Sequence, residues 1–301
     1  MELPGSVTIT DVALRDGLQN HPRVVPTDVK LSLLRRLLEA GVASMEVGSF
    51  VHPRLVPAMA DTEEVHRRLP PAGDARLIAL VPNLKGAQRA LRAGARDVRV
   101  VLSATEGHSR SNTNRSVAEG LEESRQVLEL LRSAGGVRVT AALATTFVCP
   151  FDGVVPLEHV VEVVGSLVGM GFEEVCLSDT LGRADPAQVE RTVAVARDQF
   201  PDTTFSLHVH DTYGMGLANV AAGLRQGVTA FDGALGGIGG CPFAPGAAGN
   251  VATEDVVFML RAMGIETGID LDRLAVAAVE LRAALGSPLE SSVSRALGWV
   301  A

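Results

Sequence analysis

The 301-residue sequence predicts an α/β fold, a (β/α)8 barrel with a short C-terminal helical extension. Two observations point there. Helical runs repeatedly end in a glycine and hand over at once to a short β-branched strand, and these units recur at about 25–40 residues, the size of a strand plus its helix. About eight units fit before residue 265, which favours closure into a barrel of about 250 residues. An open, doubly wound sheet is the alternative. No G-x-G-x-x-G turn follows the first strand to support it.

The first strand is read at Val7–Thr10. Ala40-Gly41-Val42 ends a helix before the second strand, Ser44–Val47, and the third is Arg76–Val81. Ala93-Gly94-Ala95 precedes Asp97–Ser103, Ala134-Gly135-Gly136 precedes Val137–Ala142, and Met170-Gly171-Phe172 precedes Glu174–Leu177. Thr204–His210 is the seventh strand, and Gln226-Gly227-Val228 leads into the eighth, Thr229–Ala234. Glycine tolerates the left-handed backbone that stops a helix, so each hand-over is a helix C-terminus. Leu271–Leu285 adds a helix beyond the barrel, expected to cap one end. One domain is expected over residues 1–301, with the barrel at about 7–265 and the helical cap at about 266–301.

With 47% apolar residues and 21% charged, the chain can bury a full core. A net charge of −8 argues against a nucleic-acid partner, which calls for a basic face. No apolar run is long enough to span a membrane, and Met1–Ser6 lacks the basic start and apolar core of an export signal. Cys149, Cys176 and Cys241 are too few for a disulfide framework. A soluble cytoplasmic enzyme is expected.

In a barrel of this kind reactive groups gather at the C-terminal ends of the strands. Nearly every predicted strand delivers polar residues there: Arg15-Asp16 after the first, Glu46 in the second, Asn83-Leu84-Lys85 after the third, and Ser103 and Glu106 after the fourth. Thr145, Thr146 and Cys149 follow the fifth, Asp179-Thr180 the sixth, and His208-Val209-His210 lies on the seventh. Residues two apart on a strand share a face, so both imidazoles can point into the barrel mouth. With Asp16 as carboxylate, and an oxygen donor such as Asn250, they would make a divalent-metal site with positions open to a chelating substrate. Arg15 is placed to polarise a carbonyl or enolate oxygen, and Glu46, costly alone inside a strand, to orient Arg15 through a salt bridge. The run from Gly236 to Gly246 is glycine-rich and carries Cys241, where a thiol can titrate and shuttle a proton. Cys149 and Cys176 read as structural.

These motifs resemble the 3-hydroxy-3-methylglutaryl-CoA lyases of the TIM-barrel metallolyase superfamily. The likeness rests on Arg15-Asp16-Gly17-Leu18-Gln19-Asn20, Ser49-Phe50-Val51, Pro82-Asn83-Leu84-Lys85-Gly86 and Asp179-Thr180-Leu181-Gly182. His208-Val209-His210-Asp211-Thr212-Tyr213-Gly214 and Gly239-Gly240-Cys241-Pro242 through Asp255 extend it, over Val7 to about Leu285. The resemblance implies Asp16, His208, His210 and Asn250 as ligands for Mg²⁺ or Mn²⁺. It implies Arg15 as the group that stabilises a thioester enolate, Glu46 as its support, Asp179 and His208 as movers of the hydroxyl proton, and Cys241 as acid/base. Arg15, Gln19, Ser49, Asn83, Lys85 and Thr180 would contact an acyl-CoA substrate, and a homodimer is implied. The reaction would be retro-Claisen cleavage of 3-hydroxy-3-methylglutaryl-CoA to acetyl-CoA and acetoacetate.

Some positions depart from the family pattern. Ala13-Leu14 stands for Gly-Pro before the Arg-Asp pair, His21-Pro22 for an acidic-basic pair, and Gly48, His52 and Leu55 for Thr, Ser and Trp. Ala104–His108 lacks the usual serine and aromatic residue, and Phe243 replaces a tyrosine. Metal and acid/base positions are intact, while smaller side chains at Gly48 and Leu55 would admit a bulkier acyl group. The alternatives are therefore a lyase for a related 3-hydroxy-3-alkylglutaryl-CoA, or a Claisen-type acyl-CoA synthase, which would be expected to carry a further C-terminal region. A non-catalytic acyl-CoA-binding barrel would be expected to have lost ligands or the cysteine.

Overall fold

The computed structural model describes residues 3–240 and 249–299. Eight parallel strands follow one another around a closed barrel, and the first completes it against the last, Thr8 opposite Ala230 through Asp11 opposite Gly233. The strands are Thr8–Asp11, Ser44–Ser49, Arg76–Val81, Asp97–Ser103, Arg138–Ala144, Glu174–Asp179, Thr204–Val209 and Ala230–Gly233. The third and fourth match the sequence reading end to end. The second, fifth and sixth run two residues further at their C-terminal ends, over Gly48-Ser49, Leu143-Ala144 and Ser178-Asp179. The seventh ends one residue short. His210 there pairs with Asn250 in an isolated antiparallel bridge, not with a neighbouring barrel strand.

Helices surround the barrel and bury apolar stripes at i, i+3, i+4 and i+7. In α6 (Leu157–Met170) the stripe is Val160, Val163, Val164 and Leu167, and in α5 (Val117–Ala134) it includes Val127, Leu128 and Leu131. α5 opens on a capping box, in which Ser116 and Glu119 satisfy each other's backbone N–H groups. The five hand-over glycines, Gly41, Gly94, Gly135, Gly171 and Gly227, all have positive φ. At Gly41 a second constraint applies: a Cβ there would lie 2.3 Å from the Gly268 carbonyl oxygen, so the chain entering the extension passes where only glycine fits.

The extension helix, α10 (Leu271–Leu285), packs against α1 (Thr27–Glu39) and α9 (Thr253–Ala262), and also meets the Leu235–Gly237 turn at the barrel mouth. Its start is tied to the end of α1 by Asp270 N–H to the Ala40 carbonyl at 2.8 Å, and Asp270 caps it by accepting from Asp272 and Arg273 N–H. The turn that follows is tied to the mouth as well, where Glu290 N–H donates to the Gly236 carbonyl at 2.9 Å.

His66, in α2 (Thr62–Arg67), packs its ring 5.1 Å from that of Phe50, and its Nε2 is buried without a hydrogen-bond partner. Burial pushes its pKa down to about 4 from 6.5. The unfolded chain therefore takes up this proton first, so the stability from neutral His66 is complete above about pH 6.5 and is lost as pH falls through about 4. The loss is on the order of 3 kcal/mol. Urea denaturation across that window should show a shallower acid slope for His66→Leu than for wild type; parallel slopes would assign the proton uptake elsewhere.

Candidate active site

The loop after the first strand is a single π-helical turn, Ala13–Gly17, in which Gly17 N–H reaches back to the Val12 carbonyl at 3.1 Å. Such turns widen the backbone and re-aim side chains, and are common at functional sites. This one presents Arg15 and Asp16 at the mouth. Its Gly17 lies against Ile238, in the stem of the glycine-rich segment, where a Cβ would come within 2.6 Å of the isoleucine side chain. On the seventh strand His208 and His210 share a face, as their spacing predicts, with their Nε2 atoms 3.1 Å apart. Asp16 Oδ2 lies 3.5 Å from His210 Nε2, and donor atoms of the three residues all fall within 4.8 Å of one another. Asn250 donates its amide to Asp16 Oδ2 at 2.8 Å and to the Ile238 carbonyl at 3.1 Å.

These donors suit a divalent cation. Donor atoms about 3 Å apart are what neighbouring ligands show around an ion bound at about 2.0–2.2 Å. Asn250 Oδ1 is buried without a partner, a lone acceptor beside the cluster. Burial works against ionised Asp16, but Arg15 and His210 outweigh it and hold the carboxyl well below the usual range. A carboxylate and imidazole nitrogens form a donor set common to divalent metals.

Behind this cluster, charged side chains alternate through the barrel interior. Arg15 bonds Asp16 through Nη1 and Glu46 through Nε. The other Glu46 oxygen lies 2.8 Å from Arg99 Nη1, which lies 2.6 Å from Asp232 Oδ2. Asp232 Oδ2 in turn accepts from His208 Nδ1 at 3.1 Å. Glu46 sits at a register shift of the second strand, between Glu46 and Gly48, a bulge that redirects the side chain inward. Arg99 comes from the fourth strand and Asp232 from the eighth, so their pair spans the interior. Sequence reasoning missed both. The signal was available, because a lone arginine in Asp97–Ser103 and an aspartate in Phe231-Asp232-Gly233 carry the same burial cost that singled out Glu46.

The other expected residues are placed as follows. Asp179 is buried at the top of the sixth strand and accepts from Arg183 and Ala184 N–H at 3.1 and 3.0 Å, and burial raises its pKa. Thr180 Oγ1 accepts from Thr145 N–H at 2.8 Å; Thr145 itself has a φ of 55°, a conformation few threonines adopt. Ser49 is buried and its Oγ has no partner, whereas Gln19 is partly exposed. Asn83 caps α3 (Leu84–Arg92) by accepting from Gly86 N–H at 2.9 Å, and Lys85 is exposed on the first turn of that helix. The structure thus brings Arg15, Asp16, Glu46, His208, His210 and Asn250 together and leaves Asn83 engaged in capping. Cys241 lies outside the described residues. Cys149 is buried with Thr105 Oγ1 3.0 Å from its sulfur. Cys176 is buried beside Asp232, and burial, then that carboxylate, push its thiol up to about 12.

The HMGL-like family model matches residues 6–279. The chain belongs to the HMGL-like family. It is 41% identical to the hydroxymethylglutaryl-CoA lyase of Bacillus subtilis over 291 residues, 97% of both chains. It is 45% identical to the (R)-citramalyl-CoA lyase of Chloroflexus aurantiacus over 302 residues, covering 97% of this chain and 95% of that one. The crystal structure of an HMG-CoA lyase from Acinetobacter baumannii with coenzyme A and 3-methylmalate superposes with a TM-score of 0.92 at 40% identity, over 97% of this chain and 95% of that one. The closed barrel is therefore the fold of this family, as the sequence predicted.

Removing Glu46 tests the buried pairing directly. Glu46→Ala leaves Arg15 and Arg99 facing one another with no carboxylate between them, and breaking a buried pair in this way costs about 3–5 kcal/mol. The urea midpoint should fall by a corresponding amount, and by less for Glu46→Gln, which keeps an acceptor. A wild-type midpoint for Glu46→Ala would show that the pairing does not hold the interior together.

Proposed function

We propose that this chain is a divalent-metal-dependent carbon–carbon lyase that cleaves 3-hydroxy-3-methylglutaryl-CoA to acetyl-CoA and acetoacetate. The convergence of Asp16, His208 and His210 beside the buried Arg15 guanidinium carries the reading. Asp16, His208, His210 and Asn250 would hold Mg²⁺ or Mn²⁺. When bound, the cation supplies positive charge to the substrate's tertiary hydroxyl and carboxylate and makes the hydroxyl a stronger acid.

Asp179 is assigned to take the hydroxyl proton. His208, expected to share that role, gives its Nδ1–H to Asp232 and turns Nε2 to the donor cluster, so it has no free nitrogen to accept it and serves as a ligand. Burial favours the protonated form of Asp179, which suits a base that must gain a proton in the first step. As the proton leaves, the C–O bond becomes a ketone, the carbon–carbon bond next to the thioester methylene breaks, and its electron pair becomes the enolate of acetyl-CoA. The enolate oxygen carries far more charge than the thioester carbonyl, so Arg15, held by Glu46, favours the transition state over the bound substrate. Cys241 then protonates the enolate carbon. Gln19, Ser49, Lys85, Thr180 and Asn83 are assigned to the acyl-CoA substrate. The proposal includes a cytoplasmic homodimer; among the described residues no helix is long and apolar enough to cross a membrane.

A second reading is (R)-citramalyl-CoA as substrate, favoured by the 45% identity to the Chloroflexus aurantiacus enzyme. The same bond cleavage would then release pyruvate, because the carboxylate sits on the hydroxyl-bearing carbon. Purified protein with Mn²⁺ should release acetoacetate from 3-hydroxy-3-methylglutaryl-CoA, lose that activity to a chelator and regain it with Mg²⁺ or Mn²⁺. Pyruvate from citramalyl-CoA without acetoacetate would establish the second reading. Cleavage of neither thioester would overturn the lyase assignment, and full activity in metal-free protein would overturn the metal dependence.

Cys241 has its own test. A hydroxyl is a far weaker acid than a thiol, so Cys241→Ser should bind Mn²⁺ and thioester normally yet lose about 10²-fold or more in kcat. Alkylation of the wild type should inactivate it faster without substrate than with it, with the label on Cys241. Near-normal turnover by the serine variant, or label confined to Cys149 or Cys176, would remove Cys241 from the chemistry.

A further inference from the structure

We propose that Arg99 and Asp232 are positioning residues that tie the metal-binding histidine to the enolate-binding arginine, so that one buried guanidinium governs both halves of the site. The inference rests on the reading of Asp16, His208 and His210 as a metal centre. It goes beyond that reading by assigning a role to two residues that touch neither the ligand cluster's open side nor the substrate.

Asp232 and His208 are register partners on adjacent strands, so the backbone itself sets the carboxylate beside the ring. An ionised carboxylate can only accept, so the 3.1 Å contact fixes the proton on His208 Nδ1. The lone pair is then on Nε2, the atom facing His210 Nε2. A carboxylate behind a metal-binding histidine fixes ring orientation and makes the nitrogen a better donor. Asp232 needs its own counter-charge to stay ionised in the interior, and Arg99 supplies it through both Nη atoms, at 2.6 and 3.4 Å.

The same Arg99 Nη1 lies 2.8 Å from Glu46 Oε1, while Glu46 Oε2 holds Arg15 Nε. Glu46 has no exposed surface, and Arg99 and Asp232 are nearly as enclosed. Water cannot replace Arg99 there. Three carboxylates, Asp16, Glu46 and Asp232, face two guanidiniums, Arg15 and Arg99, leaving one net negative charge for the cation to meet. Without Arg99, Glu46 and Asp232 repel one another unscreened. Glu46 then loses the contact that fixes its second oxygen, and with it the aim of Arg15. Asp232 loses its counter-charge, and with it the hold on His208.

The experiment measures Mn²⁺ binding by calorimetry without substrate, kcat at saturating Mn²⁺, and the thermal midpoint, for wild type, Arg99→Met, Arg99→Lys, Asp232→Asn and Arg99→Met/Asp232→Asn. Arg99→Met and Asp232→Asn should each weaken Mn²⁺ binding about 10–100-fold, as lost support of a ligand does. Arg99→Met should also lower kcat at least about tenfold when Mn²⁺ saturates, and Arg99→Lys should recover part of both. Because Arg99 acts on the metal through Asp232, the double variant should bind Mn²⁺ no more weakly than the worse single one. Wild-type Mn²⁺ affinity in Arg99→Met, or losses that multiply in the double variant, would overturn the proposal. If Arg99→Met does not fold, wild-type affinity in Asp232→Asn overturns it. Wild-type protein that binds no Mn²⁺ would overturn the metal reading and this inference with it, whereas a metal-dependent wild type with unaffected variants defeats the inference alone.

Discussion

An ion pair across the centre of the barrel is the constraint on which the site depends. Barrels of this class are usually filled by layers of branched apolar side chains. Here the pair of Arg99 with Asp232 and Glu46 crosses from the fourth strand to the eighth and second. Taking such charges out of water costs several kcal/mol per ion before any attraction is counted, so an apolar filling would hold the fold at least as well. What the charges add is placement. Each carboxylate faces a guanidinium, and the ends of the chain of charges, Asp16 and His208, are two of the three residues in the donor cluster. Barrel strands carry Glu46, Arg99, Asp232 and His208, and the π-helical turn after the first strand carries Arg15 and Asp16.

The fold was legible because its signals are local. Helix-stopping glycines and short β-branched runs recur in order, and the structure puts positive φ at all five predicted hand-overs. The donor cluster was legible for a related reason, since H-x-H on a strand needs only the two-residue period to place both rings together. Arg99 and Asp232 were not found because they pair with each other across the barrel interior, 133 residues apart in sequence. A single charge in an apolar strand says that a partner exists, and nothing local says which. The π-helical turn at Ala13–Gly17 and the bulge at Glu46 escaped for a similar reason, being set by what they pack against. The C-terminal helix was found with the right ends but without its neighbours α1 and α9, because an amphipathic stripe reports that a face is buried and not against which neighbour.

Similar groups in this interior are given different chemistry by their surroundings. Asp16 and Asp179 are both carboxyls of the upper barrel, the first half-buried and the second buried. Arg15 and His210 keep the first ionised and fit to bind a cation, whereas for the second burial outweighs its two backbone N–H bonds and the nearby histidines and pushes it toward its protonated form. The cysteines divide in the same way. Cys176 lies in the interior next to Asp232, and a thiol held up at about 12 neither binds metal nor donates protons readily, so it is inert by environment. This is consistent with assigning proton transfer to Cys241, in the glycine-rich segment.

The stem of that segment is itself set by buried acids. Asp11 accepts from Leu235 N–H and Thr253 Oγ1 at 2.8 and 2.7 Å, and Glu254 accepts from Gly236 N–H and Ser294 Oγ at 3.0 and 2.7 Å. The residues before the segment are thereby joined to the first strand, to α9 just beyond Asn250, and through Glu254 to a short last helix, Ser292–Ala296. Leu289 packs against Gly236 so closely that a Cβ there would meet it at 2.8 Å. One end of the segment that carries the proposed acid/base is therefore fixed to the same framework as the donor cluster, and Asn250, just after its other end, joins that cluster directly through Asp16. For the proposed reaction, in which a proton must reach the enolate carbon, common anchoring matters because a displacement of about 1 Å is enough to lose much of the rate.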